Sequence, residues 1–302
     1  IEANVTLGSN VKIHANVCSN TLAYNFAPES GGDMIIDTGN TSFYGRTTLD
    51  SINLRNVVEH EHCHGLGLSH VCPINETKLM EPFISRRFRG LQLDDIFSLN
   101  RLYGDFYEKE NLDRDNDSPE NATILPLTVG EIFKRESLSI DDNSDIDFYQ
   151  LEDLPAGTPL TVKVTPVATP PDFVEGPQNS DGSCSAGSNF DFTNIHDLQI
   201  EIISMDGRTV LSQANDQPLG MPEEIIAFEA PLSSDYYLRV SGDSANNTQL
   251  YSLEVDLSRP PSPPSDFVAN INATGQVTLS WKDNRDNETG FEIERKLESE
   301  GN

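Results

Sequence analysis

Hydrophobic and polar positions along the chain follow two different periods. Short alternating runs open the first third: VTLGSNVKIHANV, LAYNF and GGDMIID read as strands. A helix follows them. Asp50 or Ser51 can cap it, and Leu54, Val57, Val58 and Glu61 fall at i, i+3, i+4, i+7. LQLDDIFSLNRLYG predicts a second helix, with Leu93, Ile96, Phe97 and Asn100 at helical spacing and Gly104 as its stop. Beyond the polar, acidic stretch 110–123 the period becomes two. Leu160, Val162, Val164; Leu198, Ile200, Ile202; Tyr236, Leu238, Val240; and Tyr251, Leu253, Val255 each alternate, with turns such as MDGR and SGDS between.

These patterns predict a multidomain fold. An α+β domain spans 1–107, and a linker spans 108–119. An all-β sandwich covers 120–257, interrupted by a Pro/Gly/Ser-rich insertion at 166–197 that carries Cys184. A Pro-rich linker, 258–265, contains PPSPP and leads to the start of a second β-sandwich over 266–302, with strands in VTLSW and FEIER. No repeat of solenoid length is visible.

Composition narrows the classes. The 302 residues are 36% hydrophobic and 8% aromatic, so cores can form. Net charge is −29, from 49 acids against 20 bases, which argues against a nucleic-acid partner. No apolar run is long enough to span a membrane, and the chain is expected to be a monomer. The plainer reading of the acidity is solubility. The four cysteines form no CxxC pair, so disulfides in an exported, bacterial-type protein fit better than a zinc ribbon.

The chemistry concentrates in VVEHEHCHGLGLSH, residues 57–70, which holds four of the six histidines. On a helix, His60 and His64 lie four apart and share a face. His62 falls on the far side. Glu61 lies about 100° round from His60 and can reach a metal-bound water without displacing it. Gly67 breaks the helix, with φ > 0, and lets the chain return His70 from outside. Three histidines and one open position describe a catalytic zinc site, whereas a structural one is closed by four protein ligands. Zinc lowers the pKa of its water and polarises a carbonyl, and Glu61 then serves as general base and acid.

His60-Glu61-x-x-His64-x-x-Gly67-x-x-His70 resembles the HExxHxxGxxH signature of the metzincin metalloproteases. KLMEP supplies a methionine turn at Met80 similar to that of the matrixin branch, and LAYNFAP, GGDMIID and LQLDDIFSLNRLYG look like the matrixin edge strand, the next strand and the last helix. The resemblance covers about residues 20–105. It implies a secreted zinc endopeptidase whose peptide or protein substrate pairs along an edge strand near Leu22 and Ala23. Met80 would pack beneath the metal without touching it. Histidines for a second, structural zinc are replaced by Tyr24 and Ile35, so that zinc is expected to be absent. Asp33 and Asp37 match acidic positions near the family's calcium sites, while Asn40 departs from them, leaving Ca²⁺ as a further possibility. The first strand and helix of a complete catalytic domain are expected to be missing, so the fragment need not be active alone. Residues 120–257 resemble the bacterial pre-peptidase C-terminal domain, and 266–302 resemble the first half of a fibronectin type III domain.

Plainer readings stand beside these. His14 and His196 read as ordinary polar positions, and Met80 alone would read as core filler. Cys63 is a buried thiol or pairs with Cys18 or Cys72, and a Cys18–Cys72 bridge is the favoured pairing. The clusters DRDND and DDNSDID lack the DxDxDG calcium loop and read as solvated loops. Arg86, Arg87 and Arg89 would favour acidic substrate residues or simply face solvent. A second function class also fits: a surface adhesion or binding protein with an inactive metzincin-like domain. The retained Glu61 argues against it.

Overall fold

The computed structural model describes residues 13–16, 21–109, 115–243, 246–258, 263–284 and 290–293. Cys18 lies outside them, as do parts of the first alternating run, of DRDND, of PPSPP and of FEIER.

The first third contains a three-stranded sheet and helices. Strands β1 (Ile13–Asn16), β2 (Ala23–Asn25) and β3 (Met34–Asp37) are ordered β1-β3-β2, with β2 antiparallel to β3 at the edge. A short helix α1 (Thr41–Tyr44) precedes α2 (Thr48–Gly65). Neither Asp50 nor Ser51 caps α2. Both adopt left-handed backbone, as does Leu49, and regular helix begins at Ile52. Asp50 instead faces the guanidinium groups of Arg55 and Arg89.

The buried face of α2 is also rotated from the predicted stripe. Leu54 is 38% exposed, and Asn53 and Asn56 are buried in its place. The reason is polar anchoring. Asn53 donates to the Phe43 carbonyl at 2.7 Å, and Asn56 donates to the carbonyls of Ser85 at 2.9 Å and Phe88 at 3.0 Å. A buried side-chain amide that satisfies two carbonyls outweighs the exposure of one leucine.

Strand β4 (Val71–Cys72) follows the histidine stretch, and α3 (Leu93–Tyr103) ends at Gly104 with φ 68. The helix α4 (Phe106–Lys109) leads toward the β-rich region. That region contains β5 (Thr123–Ile124), β6 (Ile132–Ile140), β7 (Ile146–Leu154), β8 (Pro159–Pro166), β9 (Val174–Pro177) and β10 (Ser188–Asn189). It continues with β11 (Gln199–Ser204), β12 (Val210–Ala214), β13 (Glu223–Glu229), β14 (Ser234–Ser241) and β15 (Gln249–Asp256). A five-stranded sheet, β12-β11-β14-β7-β5, and a four-stranded sheet, β13-β8-β15-β6, bury one common core. All twelve residues of the four alternating triples lie in it, because a period of two sends every second side chain to the same face. A hairpin of β16 (Ser265–Ile271) and β17 (Val277–Lys282) carries VTLSW, while residues 291–293 of FEIER are not in a strand.

The two main regions interlock. Phe97 of α3 packs edge-on against Phe190 and Phe192 of the insertion, at centroid distances of 5.6 and 5.3 Å. Asn100 donates to the Ser137 carbonyl and to Ser139 Oγ, both at 3.2 Å. The insertion is no bare loop either, since β9 pairs with β4 and extends the strand that follows His70.

Candidate metal centre

Helix α2 presents His60 and His64 one turn apart, and the bend at Gly67, with φ 100, returns the chain to bring His70 opposite them. Gly65 is also specified by contact, because a Cβ there would strike the Asn25 side chain on β2. The Nε2 atoms of His60 and His70 are 3.1 Å apart, as are those of His64 and His70. One ring nitrogen from each histidine lies within 4.8 Å of the others. His62 is not in this group.

The other ring nitrogens define the tautomers. His60 Nδ1 donates to the Leu79 carbonyl and His64 Nδ1 to the Leu68 carbonyl, each at 2.7 Å. His70 Nδ1 donates to Gln178 Oε1 at 2.9 Å. A carbonyl oxygen only accepts, so each Nδ1 carries the proton and each Nε2 presents a lone pair. Burial also holds the protonated rings of His60 and His64 in disfavour, pushing His60 down to about 4. Three convergent lone pairs repel each other unless a cation takes them, and zinc with nitrogen ligands at about 2.0–2.1 Å suits this donor set. The residues present therefore fit the metal.

Glu61 is buried beside them. Burial raises its carboxyl to about 7, and a hydrogen bond from the Asn25 backbone N–H partly offsets that. Met80 is buried with Cys63, Leu68 and Leu79. Its turn is held by Asp95, which accepts the backbone N–H groups of Leu79 and Met80, both at 3.3 Å. Asp95 also accepts Gln92 N–H at 2.7 Å and so closes the first turn of α3. Glu81, fully buried, gathers the N–H groups of Asn75, Glu76, Thr77 and Lys78. Neither acid stood out in the sequence. The only available signal was a charged residue inside an apolar stretch, which more often marks a solvated face.

Other expectations resolve as follows. The Cys18–Cys72 pairing is incorrect: Cys72 bonds Cys184, with Cα atoms 5.4 Å apart, because pairing of β4 with β9 carries the insertion to that point. Cys63 is a free, buried thiol, pushed up to about 12 chiefly by burial. Tyr24 and Ile35 stand opposite one another on β2 and β3, and His14 pairs in register with Ile35 on the other side.

Leu22 does not offer its carbonyl to a ligand, since that oxygen accepts the Tyr44 hydroxyl at 2.7 Å and Asp37 N–H at 2.9 Å. Antiparallel alternation then turns the backbone of Ala23 away from β3, toward the open edge. Asp37 caps its own turn, accepting Gly39 N–H and Asn40 Nδ2 at 2.8 and 2.7 Å. The arginines after Met80 are engaged within the chain: Arg86 lies over the Phe43 ring, Arg87 pairs with Glu76, and Arg89 donates to the Leu49 carbonyl. His196 is fully buried, with Nε2 on the Asn247 carbonyl at 2.9 Å and Nδ1 near Asp243 at 2.7 Å.

DDNSDID is not a solvated loop. Asp145 and Asp147 are buried, and Glu108, Asp141 and Asp145 bring carboxylate oxygens within 4.8 Å of one another, a set that can hold a cation.

Comparison with known families agrees with the site. The Peptidase_M10 family model, described as Matrixin, matches residues 9–104. The match supports a matrixin-type metalloprotease domain in this part of the chain. No curated relative matches the chain. Among the described residues no helix is long and apolar enough to cross a membrane.

Proposed function

We propose that the chain is an exported zinc endopeptidase. The observation that carries this reading is the convergence of three Nε2 lone pairs, each fixed by an acceptor on its Nδ1, next to a buried carboxyl at Glu61. His60, His64 and His70 would hold the ion. When bound, zinc supplies Lewis acidity toward a carbonyl and a water of lowered pKa. Glu61 accepts a proton from the attacking water at its carboxylate and delivers it to the leaving amine. Burial raises its affinity for protons, the direction that favours taking one from water. The Asn25 N–H fixes the orientation of the carboxylate. A peptide in extended form would pair along β2 at the backbone of Ala23, while Leu22 stays within the sheet.

The Cys72–Cys184 bond supports an oxidising compartment. The two-sheet region reads as an accessory module of pre-peptidase C-terminal type, and the last hairpin as the start of a fibronectin type III-like module. The group Glu108, Asp141 and Asp145 reads as a place for Ca²⁺.

Digestion of casein, with and without a zinc chelator, tests the activity. Wild type should cleave, chelator should abolish cleavage, and Glu61→Ala should lower the rate by about 10²–10⁴-fold. Equal, chelator-insensitive cleavage by wild type and variant would overturn the protease reading. Zinc binding without any cleavage would favour the adhesion or binding protein instead.

A further inference from the structure

The three histidines are oriented by unlike partners. His60 and His64 use main-chain carbonyls from the same region of the chain, Leu79 and Leu68. His70 uses a side chain 108 residues away, in the insertion of the β-rich region. Among the described residues of the first third, none accepts from His70 Nδ1.

We propose that Gln178 is a positioning residue of the metal centre, so that the centre is completed by the β-rich region and not by the matrixin-type domain alone. The inference rests on the zinc reading above. Three features hold Gln178 in place. Strand β9 pairs with β4, matching Val71 to Pro177 and Cys72 to Gly176. The disulfide joins Cys72, two residues beyond His70, to Cys184, and Gln178 forms a β-bridge with that same Cys184. The amide itself is oriented, because Gln178 Nε2 donates to the Gly182 carbonyl at 2.9 Å. That bond points Oε1, the acceptor, at His70 Nδ1. Gly176 lets β9 lie close to the returning chain of the insertion, since a Cβ there would lie 2.9 Å from Gly187 Cα. The result is a clamp that selects the His70 tautomer with Nε2 turned toward His60 and His64.

Zinc affinity of the full chain, measured by competition with a chromogenic chelator, tests the proposal without relying on catalysis. An outer partner of a metal-bound histidine typically contributes about 10–100-fold in affinity. Gln178→Leu removes the acceptor and should weaken zinc by about that factor. Gln178→Glu keeps an acceptor but loses the bond to Gly182, and should bind more tightly than Gln178→Leu. Thermal unfolding of the metal-free proteins should place both variants close to wild type. If Gln178→Leu does not fold, Gln178→Asn, one methylene shorter, carries the test with the same expected loss. Wild-type affinity in the acceptor-removing variant, or equal weakening in Leu and Glu, would overturn the proposal. His64→Ala separates the two readings: if wild type itself fails to bind zinc better than His64→Ala, the zinc reading fails. If only His64→Ala loses zinc, the inference about Gln178 alone fails.

Discussion

The region around the histidines and the β-rich region keep their shapes by different means. The β-rich region is held by an apolar core contributed by both sheets, with Leu151, Leu160, Val162, Leu238 and Leu253 fully buried. In the histidine region, among the described residues, the buried apolar cluster is smaller: Cys63, Leu68, Leu79 and Met80, with Val71, Phe88, Leu91 and Leu99 packed against it. What that region lacks in core it makes up in buried polar anchors: Asn56 on the loop after Met80, Glu81 on loop 75–78, and Asp95 on the methionine turn. The two regions meet at Lys78, whose ammonium is fully buried 5.0 Å from the Phe173 ring of the insertion. The contrast shows two ways to hold a shape. Where less apolar surface is gathered, directional bonds to backbone groups fix the loops, and a neighbouring fold supplies the mass.

Breaking the apolar side should have the largest effect. Leu238→Ala empties a fully buried position and should cost about 2–5 kcal/mol, measured by urea unfolding followed on the whole chain. A loss well under that range would mean that the sheets do not share one packed core. Breaking the polar side should cost less and act locally. Asp95→Ala orphans buried N–H groups at Leu79 and Met80, at about 1–3 kcal/mol for an unsatisfied group. Limited proteolysis should then cut near residues 75–90 before it cuts the β-rich region. Cleavage spread evenly over both regions would contradict the local role.

A third test sharpens the comparison by pH. Burial, then repulsion from Glu108, pushes the Asp145 carboxyl from its ordinary 3.8 to about 9. A carboxyl raised on folding contributes stability that is complete below its unfolded value and is lost as pH rises through its folded value. In metal-free buffer, thermal stability should therefore fall as pH rises from about 4 to about 9. Asp145→Asn should flatten that slope. An unchanged slope would place the pH dependence elsewhere.

Much of both regions was legible in the sequence. The four alternating triples predicted core positions, and each residue is buried, because strand period alone assigns the face. His60, His64 and His70 were legible because helical rise and one glycine bend determine their separation. Leu54 misled, since a hydrophobic stripe competes with buried asparagines whose partners lie on distant loops. The Leu22 carbonyl is claimed by Tyr44 and Asp37, a choice made by sheet register and not by spacing. Asp95 and Glu81 were invisible because an acid buried under backbone N–H groups looks, in sequence, like any solvated acid.

The sequence by itself determined which imidazoles can share an ion, where the helix must stop, and which residues line the β core. These are consequences of backbone geometry over a few residues. Only the tertiary structure decided that Cys72 takes Cys184 as its partner, at a separation of 112 residues, and that Gln178 serves His70. Such pairings depend on which strand lies beside β4. That is settled by the packing of whole sheets and helices, and no local spacing encodes it.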